Sequence, residues 1–174
     1  YGGEIDWNIG AFCGHDEMMF DIDKACKMAC EKNGIRYVFG SISTILQGGR
    51  IPPQKNLPVS EVLSRVDKYN ELGIGVRLTF SSPFVTRGDL VDEASNIMLR
   101  HLDHNNQNGL TNRNGVIVMS DLLADYIRYM YPNLELISSQ VKPSVEVGLG
   151  NDSAEYYNRL LDRFDIVVVN PFSE

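Results

Sequence analysis

Three hydrogen-bonding side chains, Ser138, Ser139 and Gln140, end an otherwise apolar segment in "YPNLELISSQ". Hydroxyl and carboxamide groups both donate and accept hydrogen bonds, so a cluster of them suits the recognition of a small polar ligand. The stretch "VKPSVEVGLG" separates them from the next helix-capping signal, at Asn151 or Asp152, so the sequence predicts no helix start for them to cap. They are therefore expected either to line a pocket or to satisfy the backbone of a turn.

Small polar residues also follow the other predicted strands. The carboxyl ends of parallel strands meet at one edge of a sheet, where helix N-termini and loops converge and where such proteins bind their ligands. The polar residues at these other ends are Ser41, Ser43, Ser81, Ser82, Ser120, Asp121 and Asn170. Helix capping is the alternative role, and it is the favoured one for Ser120 and Asp121, which directly precede "LLADYIRYM". The candidate ligand-binding residues at this edge are Ser81, Asp121, Ser138, Ser139, Gln140 and Asn170.

Arg77 lies inside the predicted strand "IGVRLTF" and is a candidate anchor for an anionic ligand. Alternate residues of a strand face opposite sides of the sheet, so Val76 and Leu78 share an apolar face and Arg77 and Thr79 share a polar one. If the apolar face meets the helices, Arg77 points into a barrel interior, where its charge must meet a carboxylate or an anionic ligand. The alternative is an edge strand that leaves Arg77 in solvent.

Short β-rich runs alternate with amphipathic stretches from residue 35 onward, which is typical of parallel βαβ units. The predicted strands are "IRYVFG" at 35–40, "IGVRLTF" at 74–80, "GVIVMS" at 115–120, "LELISS" at 134–139 and "DIVVVN" at 165–170. The predicted helices are near 16–32, 60–72 and 88–104, from Asp121 to about Met130, and within "NDSAEYYNRLLDRF". The polar stretch "HNNQNGLTNRNG" is expected to be an exposed, mobile loop.

The alternation predicts an α/β fold, specifically a partial (β/α) TIM-type barrel of about five parallel strands. No G-x-G-x-x-G follows a strand, which argues against a dinucleotide-binding doubly wound sheet. The chain of 174 residues is shorter than the roughly 250 of a complete barrel. Residues 1–174 are therefore interpreted as a single α/β domain that forms the N-terminal portion of a larger barrel. Its open edges predict self-association or docking onto the missing half.

Metal binding is weighed against core packing for the three cysteines. Cys26 and Cys30 lie four residues apart on a predicted helix, and Cys13 or His15 would complete a site. Cys26 and Cys30 also fall on the helix's apolar stripe with Ile22, which favours small core residues over metal ligands. The sequence thus predicts no metal site and assigns no cofactor.

Charge and composition restrict the partners. A formal net charge of -7 repels phosphate backbones, and the basic residues are scattered, so nucleic acid is an unsuitable partner. No run of about 18 apolar residues predicts a membrane span. The odd number of cysteines favours a reducing compartment, and the cytoplasm is the predicted location.

The stretch "GVIVMSDLLADYIRYMYPNLELISSQ" resembles the collagenase-like peptidase barrel family, in which a strand, a short Asp-led helix, a "yP-x-L" turn and a second strand ending in a Ser-Gln-type signature follow in that order. The matching positions are Asp121, Pro132, Ser139 and Gln140. Two earlier pieces, "VFGS" and "GGR", are similar to the first barrel strand and loop of relatives of that family. The resemblance spans roughly residues 35–140 and implies a (β/α) barrel.

The same resemblance does not transfer the family's chemistry. Its members usually carry a cysteine cluster in their later half, which holds an iron–sulfur cluster in the hydroxylation-factor branch. The cysteines of this chain all precede the first predicted strand, so cluster binding and peptidase activity are not carried over.

Two functions follow as expectations. The first is a segment of a (β/α)-barrel enzyme that binds a small polar or anionic substrate at the carboxyl ends of its strands, with the reaction unassigned. The alternative is a non-catalytic binding or assembly module that docks a partner through open sheet edges. The orientation of Arg77 helps to separate them, because an enzyme segment keeps that side chain inward with other polar groups.

Overall fold

The computed structural model describes residues 6–10, 12–29, 34–47, 56–150 and 153–169, and within them five strands form one parallel sheet. The strands are β1 (Asp6–Ile9), β2 (Gly34–Gly40), β3 (Gly75–Phe80), β4 (Gly115–Val118) and β5 (Glu135–Ser138). The helices are α1 (Asp16–Ala29), α2 (Val59–Glu71), α3 (Glu93–Gln107), α4 (Asp121–Met130), α5 (Val141–Gly148) and α6 (Ala154–Leu161). Two 3-10 turns, Ile45–Gln47 and Asp89–Val91, lie in the connections after β2 and β3.

The strands lie in sequential order, β1-β2-β3-β4-β5, and every neighbouring pair is parallel. A sequential order means that the chain never reverses its direction across the sheet. Doubly wound sheets do reverse, whereas (β/α) barrels do not. The predicted α/β fold with about five parallel strands alternating with helices is confirmed.

One face of the sheet packs against the helices and forms the core. Its side chains are fully or almost fully buried: Val38, Val76, Leu78, Phe80, Val116, Val118 and Leu136. The helices meet them with apolar side chains that include Val66, Leu99, Leu102, Leu123, Ile127 and Leu160. The predicted division of β3, with its apolar residues toward the helices, is therefore correct.

The opposite face, called the inner face below, carries Tyr37, Arg77, Thr79, Glu135 and Ile137. Two glycines leave this face without a Cβ atom at their positions, so that large neighbouring groups can lie over the backbone. A Cβ atom added at Gly75 would lie 2.7 Å from Cδ1 of the Tyr37 ring, and one added at Gly115 would lie 2.5 Å from the Glu135 carbonyl oxygen. Glycine at position 75 lets the Tyr37 ring cover the neighbouring strand, and glycine at position 115 leaves room for the Glu135 backbone and the Ile137 side chain.

Asparagine side chains hydrogen-bond the backbone at the amino-terminal ends of the strands. Asn114 is fully buried, and it exchanges two side-chain hydrogen bonds with Asn70, at 2.8 and 2.9 Å. Its Oδ1 also accepts from the backbone N–H of Val76 at 2.9 Å. Asn106 donates to the backbone oxygens of Asn114 and Asn133. The expectation of an exposed loop at 104–115 is wrong for Asn106 and Asn114, which are buried because their amides supply partners to backbone groups. The expected exposure is correct for residues 107–109, Thr111 and Arg113.

Four other element predictions need correction. The short strand β1 was not predicted. The segment predicted as a strand at 165–170 forms only an isolated bridge, between Ile137 and Ile166, and Asn170 lies outside the described residues. Helix α5 was not predicted, although its proline is the third residue, where no helical N–H bond is lost.

The fourth correction concerns the inward face of α1. Met19 and Asp23 are buried, whereas Ile22 is exposed and Cys26 is half-buried. Asp23 turns inward because its carboxylate accepts a 3.0 Å hydrogen bond from the Ile35 N–H at the start of β2. The proposed cysteine stripe is thus not the core face of α1, and Cys30 lies outside the described residues.

Candidate functional site

Arg77 points to the inner face, as its position in β3 predicted. Its Nη2 atom lies 2.6 Å from Oε2 of Glu135, and its guanidinium carbon lies 3.6 Å from the centroid of the Tyr37 ring. The side chain is only 12 % exposed. Arg77 therefore meets a carboxylate of its own chain, which was one of the two partners that its orientation required.

The strand register separates Arg77 from the predicted serine cluster. Arg77 is paired with Gly115, the first residue of β4, which is paired with Glu135, the first residue of β5. Ser138 ends β5 three residues later, about 10 Å further along the strand. Arg77 thus lies level with the beginnings of β4 and β5, and the structure does not bring it together with Ser138, Ser139 and Gln140.

Replacement of Arg77 by alanine is expected to lower the free energy of unfolding by about 2 kcal/mol, because it removes a charged hydrogen bond from the Glu135 carboxylate, which is 20 % exposed. Replacement of Arg128 is the matched control, since Arg128 pairs with Asp165 at 3.1 Å where both side chains are more than 40 % exposed. Its loss should cost less than about 1 kcal/mol. Urea denaturation measures both changes, and equal losses in the two variants would show that the inner-face pair contributes no more than a surface pair.

Ser138 and Ser139 serve the backbone. The Ser138 hydroxyl accepts a 2.9 Å hydrogen bond from the Val168 N–H, and the Ser138 N–H donates to the Ile166 oxygen at 2.9 Å. Ser138 thereby holds the chain after α6 alongside β5. The Ser139 hydroxyl accepts from the Val141 N–H at 3.4 Å, at the start of α5. Of the two roles expected for these serines, the hydrogen bonds favour backbone satisfaction.

Asp121 lies between two cations at the first turn of α4. Its Oδ1 is 2.7 Å from Lys142 Nζ and 2.7 Å from Arg163 Nη1. Partial burial would raise the pKa of this carboxyl, but the hydrogen bonds and charges of Lys142 and Arg163 together hold the pKa below its usual value. Ser120 is the N-cap of α4 and accepts from the Leu123 N–H, so the capping role favoured for Ser120 is confirmed.

The remaining candidates are distributed along the same edge. Ser81 is buried directly after β3, whereas Gln140 is exposed beside the start of α5. The neighbouring Ser82 donates its backbone N–H to the Leu46 oxygen, which ties β3 to the turn after β2. Ser81 and Ser139 are at most 3 % exposed, so they offer little surface to a ligand in this structure.

A cleft of about 360 Å³ opens between α1 and α2. The α1 side contributes Gly14, His15, Asp16, Glu17, Met18 and Phe20, and the α2 side contributes Glu61, Ser64, Arg65 and Lys68. Both helices begin after the carboxyl end of a strand, so the cleft starts at the edge of the sheet where parallel α/β proteins bind ligands. None of the predicted ligand-binding residues lines it.

Asp16 organises this cleft, although it is only 7 % exposed. One carboxylate oxygen accepts from the Tyr69 hydroxyl at 2.8 Å and from the Cys13 N–H at 3.0 Å, and the other accepts from Arg65 Nη1. Arg65 also donates to Glu61 Oε1 at 2.7 Å. The guanidinium of Arg65 is thus held between a buried carboxylate and an exposed one.

Burial around Asp16 keeps two nearby acids protonated. Burial, reinforced by the Asp16 charge, raises the pKa of the Cys13 thiol to about 12. Burial and the hydrogen bond to Asp16 raise the pKa of the Tyr69 hydroxyl. Cys13 is therefore not an activated nucleophile, because the reactive species of cysteine is the thiolate.

The residues of the α2 wall share a pattern that is visible in the sequence. Glu61, Ser64, Arg65 and Lys68 recur at intervals of three, one and three residues, which places them on one face of a helix. The α1 wall had no comparable signal, because Asp16 reads as an ordinary first-turn acidic residue. Among the described residues, no group of three or more histidine, cysteine, aspartate or glutamate side chains is placed to hold a metal ion.

Comparison with known proteins finds no matching family model, no matching curated protein and no matching solved structure. The helices within the described ranges include none that is long and apolar enough to cross a membrane.

Proposed function

We propose that this chain is a segment of a (β/α)-barrel protein that binds a small polar ligand at the edge where its strands end, with the α1–α2 cleft as the binding site. The cleft is the observation that carries the proposal. Its volume of about 360 Å³ lies in the range of small-molecule sites. The proposal concerns binding, and no reaction is assigned to it.

The fold supports the position of this site. Parallel α/β proteins collect their ligands where helix N-termini follow strand ends, and the cleft begins at the first turns of α1 and α2. Arg77 is replaced in this proposal as the ligand anchor, because its guanidinium is already paired with Glu135. The resemblance to collagenase-like peptidases enters only as support for a barrel. The cytoplasm remains the proposed location, and the acidic charge argues against nucleic acid as a partner.

A variant that fills the cleft tests the proposal. Ser64→Phe places a ring in the cleft, whereas Ser60→Phe places the same ring on an exposed position of α2 that does not line it. We expect small polar molecules that raise the melting temperature of the unaltered chain to lose that effect in Ser64→Phe and to keep it in Ser60→Phe. Equal responses of the two variants would place the ligand elsewhere, and the absence of any stabilising molecule would refute the proposal.

The open edge of the sheet favours a second candidate, a module that assembles with a partner. Within the described residues, β1 pairs only with β2, and Trp7 beside this edge is 49 % exposed. Unpaired strand edges are templates for another chain. Sedimentation velocity tests this second candidate. If the chain assembles through the β1 edge, it should associate in solution, and Ser64→Phe should associate to the same extent because Ser64 lies in the cleft.

A further inference from the structure

The α1–α2 cleft carries charges of both signs. Asp16, Glu17 and Glu61 contribute three carboxylates, and Arg65 and Lys68 contribute two cations. A lone anion would therefore meet an excess of carboxylates, and a lone cation would meet two basic side chains. A ligand with one charge of each sign avoids both penalties, because like charges brought together across an interface are costly.

The charges of the cleft differ in their availability. Asp16 and Arg65 are paired with each other, and Arg65 uses its second terminal nitrogen for Glu61. Glu17 and Lys68 form no ion pair with another described residue. One carboxylate oxygen of Glu61 accepts from Arg65, and the Glu61 side chain is 46 % exposed. A ligand thus finds acidic groups in Glu17 and Glu61 and a basic group in Lys68.

The α1 wall also has an apolar part. Phe20 is half-buried, and its ring lies 4.9 Å from the ring of Tyr69. Met18, which also lines the cleft, is 49 % exposed. A thioether and an aromatic ring at the margin of a charged cleft suit a ligand with a short apolar group. The volume of about 360 Å³ lies near the lower limit of small-molecule sites, which favours a compact ligand.

We infer that the cleft binds a small zwitterion of the free α-amino-acid class. The ligand's ammonium group lies toward Glu17 and Glu61, its carboxylate toward Lys68, and its apolar side chain toward Met18 and Phe20. This inference rests on the proposed function and narrows it, because it excludes ligands that carry only a negative charge. It also assigns Arg65 a positioning role, in which it holds Glu61 rather than the ligand.

The test uses matched probes that differ by one charge. A panel of free L-amino acids is screened by thermal shift and titration calorimetry against the unaltered chain, together with the N-acetyl derivative and the amide of each. We expect at least one free amino acid with an apolar side chain to bind. Its N-acetyl derivative lacks the ammonium charge and its amide lacks the carboxylate, and both should bind at least about tenfold more weakly.

Lys68→Ala provides the structural half of the test. The Lys68→Ala variant should bind the free amino acid about tenfold more weakly than the unaltered chain does. The amide, which has no carboxylate, should bind equally to the variant and to the unaltered chain. Lys24→Ala is the control, since Lys24 is an exposed residue of α1 that does not line the cleft.

Four outcomes overturn the inference. An N-acetyl derivative that binds as tightly as the free amino acid would show an anion site, and an amide that does so would show a cation site. If other small polar molecules bind in a manner sensitive to Ser64→Phe while no amino acid does, the inference fails and the proposed function stands. If nothing in either screen binds, both fail.

Discussion

Replacement of Asn114 by alanine is expected to lower the free energy of unfolding by about 3–4 kcal/mol, a large part of the stability of an ordinary domain. The side chain of Asn114 makes three hydrogen bonds, two with Asn70 and one that satisfies the Val76 N–H. Alanine leaves the Val76 N–H without its side-chain partner at a position that is 0 % exposed. It also removes one hydrogen bond from each of the two amide atoms of Asn70, which keep their bonds to the Ile74 oxygen and to Asn105. A buried group left unsatisfied costs about 1–3 kcal/mol, and each further hydrogen bond lost costs about 1 kcal/mol.

Asn108→Ala is the control for this prediction. Asn108 belongs to the same asparagine-rich stretch but is exposed at the end of α3, where its backbone is not left-handed. Its replacement should change the free energy of unfolding by less than about 0.5 kcal/mol. Urea denaturation of both variants measures the difference. A loss below 1 kcal/mol for Asn114→Ala would mean that the amide network does not stabilise the sheet.

The asparagine network shows where pattern reading fails. Asparagine and glycine together are typical of exposed loops, and composition alone cannot tell an amide in solvent from one that satisfies buried backbone. The distinction depends on Asn70 and Val76, which lie far away in the chain. Strand positions, by contrast, were predictable from β2 to β5, because runs of β-branched residues between turn signals are local features.

The location of a ligand site stays a prediction. The fold class implied a ligand edge where the strands end, and the proposed cleft is lined by α1, α2 and the loop before α1, which follow β1 and β2 in the chain. Three serines at that edge, Ser120, Ser138 and Ser139, accept hydrogen bonds from backbone N–H groups, because small hydroxyl side chains suit helix capping and backbone satisfaction. Ser139 illustrates the ambiguity, since its role depended on a helix that begins two residues later and that the sequence pattern did not indicate.

Arg77 illustrates a different limit. The alternation of β3 predicted its direction correctly, since side-chain direction follows from local geometry. Its partner, Glu135, depends on a register that spans three strands, and no local pattern encodes that register. The requirement for a compensating charge was therefore predictable, whereas the source of that charge was not.

The second large effect is expected at Asp16, where replacement by alanine should lower the free energy of unfolding by about 3–5 kcal/mol. The change removes the acceptor of the Tyr69 hydroxyl and of the Cys13 N–H, and it removes the buried partner of Arg65. Cys13 has a left-handed backbone with φ of 63°, a conformation that residues other than glycine adopt at a cost. The hydrogen bond from its N–H to Asp16 helps to hold that conformation.

Glu61→Ala is the control for Asp16→Ala, because Glu61 is the other carboxylate bound to Arg65 but is 46 % exposed. Its loss should cost less than about 1 kcal/mol. Urea denaturation in the absence of ligand compares the two variants. Both variants remove a carboxylate from the same guanidinium. A similar loss of unfolding free energy in the two variants would therefore mean that the burial of Asp16 and its hydrogen bonds to Cys13 and Tyr69 add nothing to stability. A much larger loss for Asp16→Ala would instead establish that the loop entering α1, and with it one wall of the cleft, is held by this single carboxylate.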